Sequence, residues 1–281
     1  MTGTLWLVAT PIGNLGDISP RARETLDGVA LVCCEDTRRT GRLLQHLGIS
    51  AQALAVCNEH TEHRLTHRVV DELSAGHDVA IVSDAGTPGI SDPSERLVRA
   101  AIDLGATVSA IPGACAAISA LITSGLPTER FVMEGFLPRR GQERTDRLTD
   151  IAAEHRTIVL YEAPHRMTRS LTDLAEGCGG DRQISVSREL TKIHEETIRS
   201  TLSQLDIGEP RGEYVIVIAG RQQNNQPVTE DSIRDALHEA LAIGLSRRDA
   251  AAEVSRRFGI PRRRAYDLVI QTAPANEADT Q

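Results

Sequence analysis

Aromatic residues are nearly absent from this 281-residue chain: one Trp, three Tyr and three Phe, 2% in all. Platforms of rings for stacking bases are therefore not evident. Lysine is scarcer still, since 30 of the 31 basic residues are Arg and the one Lys stands at position 192. The five cysteines, at 33, 34, 57, 115 and 178, are odd in number and lack the C-x-x-C spacing of zinc or redox sites. They read as thiols of a reduced, cytoplasmic protein. No run approaches the roughly 20 apolar residues that span a bilayer, so no membrane partner is expected. The opening MTGTLWLVATPIGN has no basic stretch before its apolar residues and reads as a β-strand, not a signal peptide. A net charge of −8 argues against a general electrostatic nucleic-acid binder while leaving room for local basic patches.

What is present is ordinary for a globular protein: 40% hydrophobic and 25% charged residues, in a length that suits about two domains. Five apolar, branched runs, LWLVATP, ALVCCED, LAVCN, VAIVSDAG and TVSAIPG, each end in a turn-forming or acidic residue and read as buried strands. Helical patterns over 19–26, 38–47, 62–74 and 94–104 alternate with them, which implies an α/β sheet with its site at the carboxyl edge. A second set, FVMEGFL, TIVLYEA, ISVSREL, HEETIRSTL and EYVIVIAG, contains adjacent strands and implies a mixed sheet with antiparallel pairs. The Ala- and Ser-rich stretch 112–125 joins the two halves as a helix. QQNNQPV, at 222–228, reads as a linker. Helices are then expected over 232–242, over 246–257 with Ser246 as N-cap, and from Pro261 to about 271, a helix-turn-helix-like module. The expected organisation is an N-terminal α/β lobe over 1–112, a C-terminal α/β lobe over 113–221 and a helical module over 229–272.

Two Gly-rich turns follow strands, at 10–17 (TPIGNLGD) and 83–93 (SDAGTPGISDP). Neither is a G-x-G-x-x-G fingerprint or a P-loop, so each is either an ordinary strand-to-helix turn or a place where backbone meets a ligand. A third turn, IPGACAA at 111–117, offers small side chains ahead of a helix. His60, His63 and His67 share one helix face, but nothing supplies the closed ligand set zinc needs, and no metal is expected. The absence of G-x-S-x-G excludes a serine hydrolase of that type. Arg clusters mark 38–42, the 138–147 loop and 246–266, which carries seven Arg against Asp249 and Glu253.

Eight motifs occur in order: TPIGNLGD, CEDTR at 34–38, NEH at 58–60, SDAGTPGISDP, IPGA, GFLPR at 135–139, YEAPHR at 161–166 and RELTKIHEE at 188–196. Together they resemble the bacterial 16S ribosomal RNA methyltransferase I family, within the tetrapyrrole-methylase-like superfamily. The resemblance implies a two-lobed tetrapyrrole-methylase-like fold, S-adenosylmethionine bound between the lobes, and a homodimer. It also implies methylation of the ribose 2′-hydroxyl of a decoding-centre cytidine, position 1402 in the usual small-subunit numbering, with 16S rRNA in the small subunit as partner. Matched motif by motif, Pro11, Asp84, Gly86, Thr87 and Ile90 fall beside the cofactor, with Cys115, Ala116, Tyr161 and Val217 as further candidates.

Lys192 is the first candidate for a base, because lysine can lose its proton when desolvated and arginine cannot. Its pKa would have to fall well below the ordinary value for that role. Glu35, Glu59 and His165 are further catalytic candidates, able to orient a ribose. Arg38, Arg139, Arg140, Arg144, Arg166, Arg247, Arg262 and Arg263 are candidates for holding RNA phosphates bidentately. The 139–147 loop is expected to close on substrate. The competing readings are a methylase of a tetrapyrrole or other small acceptor, a ligand-sensing helix-turn-helix DNA-binding regulator, and an assembly factor without catalysis.

Overall fold

The computed structural model describes residues 1–50, 52–57, 61–91, 94–222 and 229–272. Asn58, Glu59 and His60 lie outside the described residues, so the candidate Glu59 receives no structural account. Met1–Arg221 forms one compact unit, and a second begins at Gln222.

The first unit contains two five-stranded sheets. In the first, β1 (Thr4–Val8), β2 (Leu31–Cys34), β3 (Leu54–Val56), β4 (Val79–Ile81) and β5 (Thr107–Ile111) run in the order β3-β2-β4-β1-β5. Every pairing is parallel. All four residues of β2 are buried, because both faces of the sheet are covered. Val32 and Cys34 pack with α1 (Pro20–Gly28) and α2 (Thr37–His46), while Leu31 and Cys33 pack with α3 (Glu62–Ser74) and α4 (Glu95–Asp103). Along α3, Leu65, Val69 and Leu73 recur every four residues and are all buried. Each such side chain contributes about 1.5–3 kcal/mol of burial. Burial pushes the Cys33 thiol far above its ordinary pKa.

The second sheet comprises β6 (Phe131–Phe136), β7 (Thr157–Glu162), β8 (Gln183–Arg188), β9 (Glu196–Thr201) and β10 (Tyr214–Ile218), in the order β6-β7-β10-β8-β9. Only β6 and β7 pair in parallel; the other three pairings are antiparallel. On one face Leu160, Val186 and Ile216 meet α6 (Gln142–Ala153) and α7 (Met167–Cys178). On the other, Val159, Val215 and Val217 meet α5 (Ala116–Thr123), together with Ile12 and Leu190 from loops. That second cluster lies directly beneath the candidate site.

One local expectation is overturned. The stretch 138–147 is not a loop throughout: Gly141, at φ 83°, turns the chain into α6, which begins at Gln142. Arg144 therefore points into the protein.

The second unit has its own core, built from Ile233, Leu237, Val254 and Val269 among others on α8 (Glu230–Ala242), α9 (Arg247–Phe258) and α10 (Arg262–Thr272). The α8 helix starts two residues before Ser232 because Thr229 Oγ1 caps it, accepting from Ser232 N at 3.2 Å. Ser246 Oγ accepts from Asp249 N (3.2 Å) and donates to the Asp249 carboxylate (2.6 Å), a capping pair. Gly259 ends α9 in the left-handed conformation. Among the described residues no helix is long and apolar enough to cross a membrane.

Candidate active site

Parallel strands deliver the turns that follow them to one edge, and here those turns are tied to each other. Thr10, after β1, exchanges backbone hydrogen bonds with Gly86, after β4, at 2.9 and 3.1 Å. The buried Thr10 hydroxyl adds a bond to Ser83 O at 3.2 Å. Thr87 Oγ1 donates to Ala114 O at 3.0 Å and so fastens the turn after β5 to the same block. Gly86 has φ +86°, and a Cβ there would stand 3.2 Å from Ile12 Cγ2 and 3.5 Å from Ala114 O. Conformation and close packing both require glycine at this point.

A polar wall adjoins this block. Asp84 N donates to Glu35 Oε1 (3.0 Å), while the Asp84 carboxylate accepts from Asp36 N (3.2 Å) and Arg39 Nη1 (3.1 Å). Asp36 in turn caps α2, accepting from Arg38 N at 2.7 Å, which holds its carboxyl below the usual range. Asp84 thus braces the turns after β2 and β4 to each other.

The opposite wall comes from the second sheet. Lys192 Nζ donates to Glu189 Oε1 at 2.9 Å and to Glu213 Oε2 at 2.6 Å. Burial alone would lower the Lys192 pKa; the two carboxylates outweigh it and raise the pKa above the ordinary lysine value. The turn that carries Lys192 is strained, with Glu189 at φ 51° and Thr191 at φ 64°. It is held by Lys192 N to Glu189 O (3.0 Å), Glu189 N to Glu213 O (3.0 Å) and Asn14 N to Thr191 Oγ1 (3.1 Å). Beside it, buried Glu162 accepts from Ser170 Oγ (2.5 Å) and from Ala163 N (2.9 Å), and pairs with Arg166 Nε (3.2 Å).

Between the walls is a cavity of about 490 Å³. Its lining mixes apolar groups (Ile12, Ile90, Ala116, Phe136, Leu190, Val215) with Glu35, Arg39, Asp84, Glu162, His165, Glu189, Lys192 and Glu213. The volume is within the range typical of small-molecule sites, and so is the pattern of apolar surface with a few convergent polar groups.

Residues 4–206 match the family described as Tetrapyrrole (Corrin/Porphyrin) Methylases. The Ribosomal RNA small subunit methyltransferase I of Synechocystis sp. is 46% identical over 274 residues, covering 96% of this chain and 98% of the relative. Its namesake from Pseudomonas aeruginosa is 46% identical over 279 residues, covering 96% and 97%. The chain belongs to the ribosomal RNA small subunit methyltransferase I family. The fold is also that of the solved methyltransferase CobJ (TM-score 0.59, 19% identity, covering 78% of this chain and 95% of that one). Uroporphyrin-III-C-methyltransferase from Thermus thermophilus shares it too (TM-score 0.54, 18% identity, covering 77% and 94%).

In this methyltransferase the cavity gathers most of the residues singled out from sequence. Asp84, Gly86, Thr87, Ile90, Ala116 and Tyr161 line it, as do Glu35, His165 and Lys192. Pro11 and Cys115 flank the lining residues Ile12 and Ala116 without lining it themselves. Val217 is a correction. It is fully buried among Val159, Ala120 and Leu121, and Val215, two residues earlier on the same face of β10, is the one at the cavity. The protonation expected of Lys192 is a second correction, because its two carboxylate partners favour the ammonium.

Arg144 is a third correction, at 4% exposure. It donates to Asp173, to Pro138 O and to Ser170 Oγ, so its guanidinium is committed to internal partners. Arg166 is likewise turned inward, to Leu137 O and Glu162. Arg38, Arg139 and Arg140 are exposed on the first unit, and Arg247, Arg262 and Arg263 on the second. Glu189 and Glu213 went unrecognised in the sequence. Glu189 sits inside the RELTKIHEE motif, but Glu213 is 24 residues away and only the fold pairs them.

Proposed function

We propose that this methyltransferase transfers the methyl group of S-adenosylmethionine to the ribose 2′-hydroxyl of a decoding-centre cytidine in 16S rRNA. It does so as a cytoplasmic homodimer acting on the small ribosomal subunit. One observation carries the choice of RNA over a macrocycle. The tetrapyrrole-methylase match ends at residue 206, before the helical unit, whereas the small-subunit methyltransferases match over 96% of the chain. The helical unit makes up most of that difference, and a small-molecule methylase has no use for its exposed Arg residues.

The cavity residues fit the donor chemically. Small and apolar side chains such as Ile12, Ala116 and Val215 suit an adenine, and the glycine at 86 admits close backbone approach. Glu35 and Asp84 suit the donor's cationic groups. When bound, the donor supplies an electrophilic methyl group. The chain's own residues then have three tasks. The Thr10–Gly86 and Thr87–Ala114 bonds hold the floor rigid, so that much of the rate comes from positioning. Lys192, kept charged between two carboxylates, presents a fixed ammonium at the wall where an anionic acceptor strand must arrive. His165, exposed and part of the cavity lining, orients the ribose in this reading. Arg38, Arg139 and Arg140, with Arg247, Arg262 and Arg263 on the helical unit, supply phosphate contacts.

Labelled S-adenosylmethionine offered with unmodified small subunits and, separately, with a tetrapyrrole tests this reading. Label is expected in the RNA alone; label in the macrocycle with none in RNA overturns it.

A further inference from the structure

The strained turn at 189–192 does more than hold a cation. Glu189 Oε1 takes both of that carboxylate's hydrogen bonds, from Lys192 Nζ at 2.9 Å and from Glu213 N at 3.0 Å. Oε2 is left with no protein partner among the described residues, on a side chain that lines the cavity. The backbone is built to keep it there. Glu189 itself stands at φ 51°, a conformation a non-glycine residue adopts at a cost. Gly212, at φ +80°, is the residue whose missing side chain makes room for it: a Cβ there would lie 2.5 Å from Glu189 Oε1. Gly13 in the same way leaves room for Lys192 Cγ, 2.4 Å from where its own Cβ would be. The two glycines and two left-handed residues serve one carboxylate and the ammonium clamped to it.

Resting on the reading that the acceptor is a ribose hydroxyl, we infer that Glu189, through its free Oε2, is the group that takes the hydroxyl proton, and that Lys192 is its positioning residue. The step balances as follows. The hydroxyl oxygen forms a bond to the methyl carbon as the carbon–sulfur bond breaks, and that bond's electron pair stays on sulfur to give a neutral thioether. The hydroxyl proton passes to Glu189 and then to water. A carboxylate is base enough, because an oxygen that is gaining a methyl group becomes strongly acidic before its proton leaves. Lys192 cannot take that proton while its ammonium is bonded to two carboxylates.

The charged and titratable groups around Glu189 are Lys192 on its own turn, Glu195 bonded to Thr191 N, Glu213 from the segment before β10, Arg188 at the end of β8 with its partner Glu196, and Glu35, Arg39, Asp84, Glu162, His165 and Tyr214 in the cavity lining. Lys192, first among them, draws the Glu189 carboxyl below its ordinary pKa. The base is therefore already ionised throughout the neutral range.

The test is the pH dependence of single-turnover methyl transfer to unmodified small subunits, with the labelled position mapped, for the wild type and for Glu189→Gln. With Glu189 as acceptor, the wild-type rate is flat from about pH 6 to 9, and Glu189→Gln loses about 10²–10⁴-fold while still binding donor in a calorimeter. With a neutral Lys192 as base, the wild-type rate climbs about tenfold per pH unit across the same range. A climbing profile on a correctly labelled ribose, or Glu189→Gln at the wild-type rate, overturns the assignment alone. Label on a base in place of the ribose overturns the functional reading as well. A climbing wild-type profile overturns the assignment even if the variant does not fold.

Discussion

Gly13→Ala is a small change with a specific expected consequence. The new Cβ would stand 2.4 Å from Lys192 Cγ, 2.9 Å from Thr191 Oγ1 and 3.2 Å from Leu190 O. Ordinary contact begins at 3.4 Å, so the 190–192 turn must retreat by about 1 Å or the backbone of Gly13 must. Gly13 is not among the positive-φ residues, so alanine adds no conformational strain of its own. The cost is overpacking, about 1–3 kcal/mol. The lower half of that range applies here, because Thr191 and Lys192 are only half-buried and can yield. At about 2–4 °C per kcal/mol for a unit of this size, the melting temperature falls by a few degrees. Activity suffers more. Moving the Lys192–Glu189 pair by about 1 Å is a displacement that costs on the order of 10²-fold in rate, and Asn14 N loses its 3.1 Å bond to Thr191 Oγ1. Single-turnover transfer and thermal unfolding measure the two effects. Gly28→Ala, at the end of α1 with open space around its Cβ, is the matched control: it leaves the transfer rate unchanged and does not lower the melting temperature. A Gly13→Ala enzyme with wild-type rate and melting temperature would refute the reasoning.

Arg144→Ala removes a buried guanidinium from Asp173, Pro138 O and Ser170, and costs about 3 kcal/mol in urea denaturation; loss of RNA affinity at unchanged stability would contradict its inward placement. Arg262→Ala with Arg263→Ala leaves stability unchanged and lowers the slope of log affinity against log salt by about 0.7–0.9 for each phosphate that is no longer neutralised, read by RNA binding at several salt concentrations. The Glu154 carboxyl is held down at about 2, first by its hydrogen bond from the Arg156 side chain and then by the Arg156 backbone N–H. A lowered carboxyl pKa stabilises the folded state above the unfolded value of about 4.5 and loses that contribution as pH falls towards 2. Glu154→Gln therefore flattens the acid side of the melting-temperature profile, and an unchanged profile would show that this partly exposed pair contributes nothing.

The strands were legible because buried parallel strands read as unbroken apolar runs, and LVCC of β2 is buried at every position. The site turns were legible because their glycines, prolines and acids cluster at strand ends. Arg144 was not, since a charged residue at the start of a polar helix gives no sign that it turns inward; only Asp173 and Ser170 on a neighbouring helix reveal it. Val217 was taken for Val215 because the two share a face of one strand, and periodicity cannot say which of them meets the cavity. Lys192 stood out by composition, but its charge state depends on Glu213, which lies 21 residues away in sequence and 2.6 Å away in space.

The central claim is that a hydroxyl of a ribosomal RNA ribose, reached from this cavity, receives the methyl group. Digesting small-subunit RNA labelled by the wild-type enzyme to nucleosides, and identifying the one that carries the label, tests it most directly. The account predicts a single 2′-O-methylated cytidine from the decoding centre; a methylated base, or RNA that stays unlabelled while another acceptor is methylated, would contradict it.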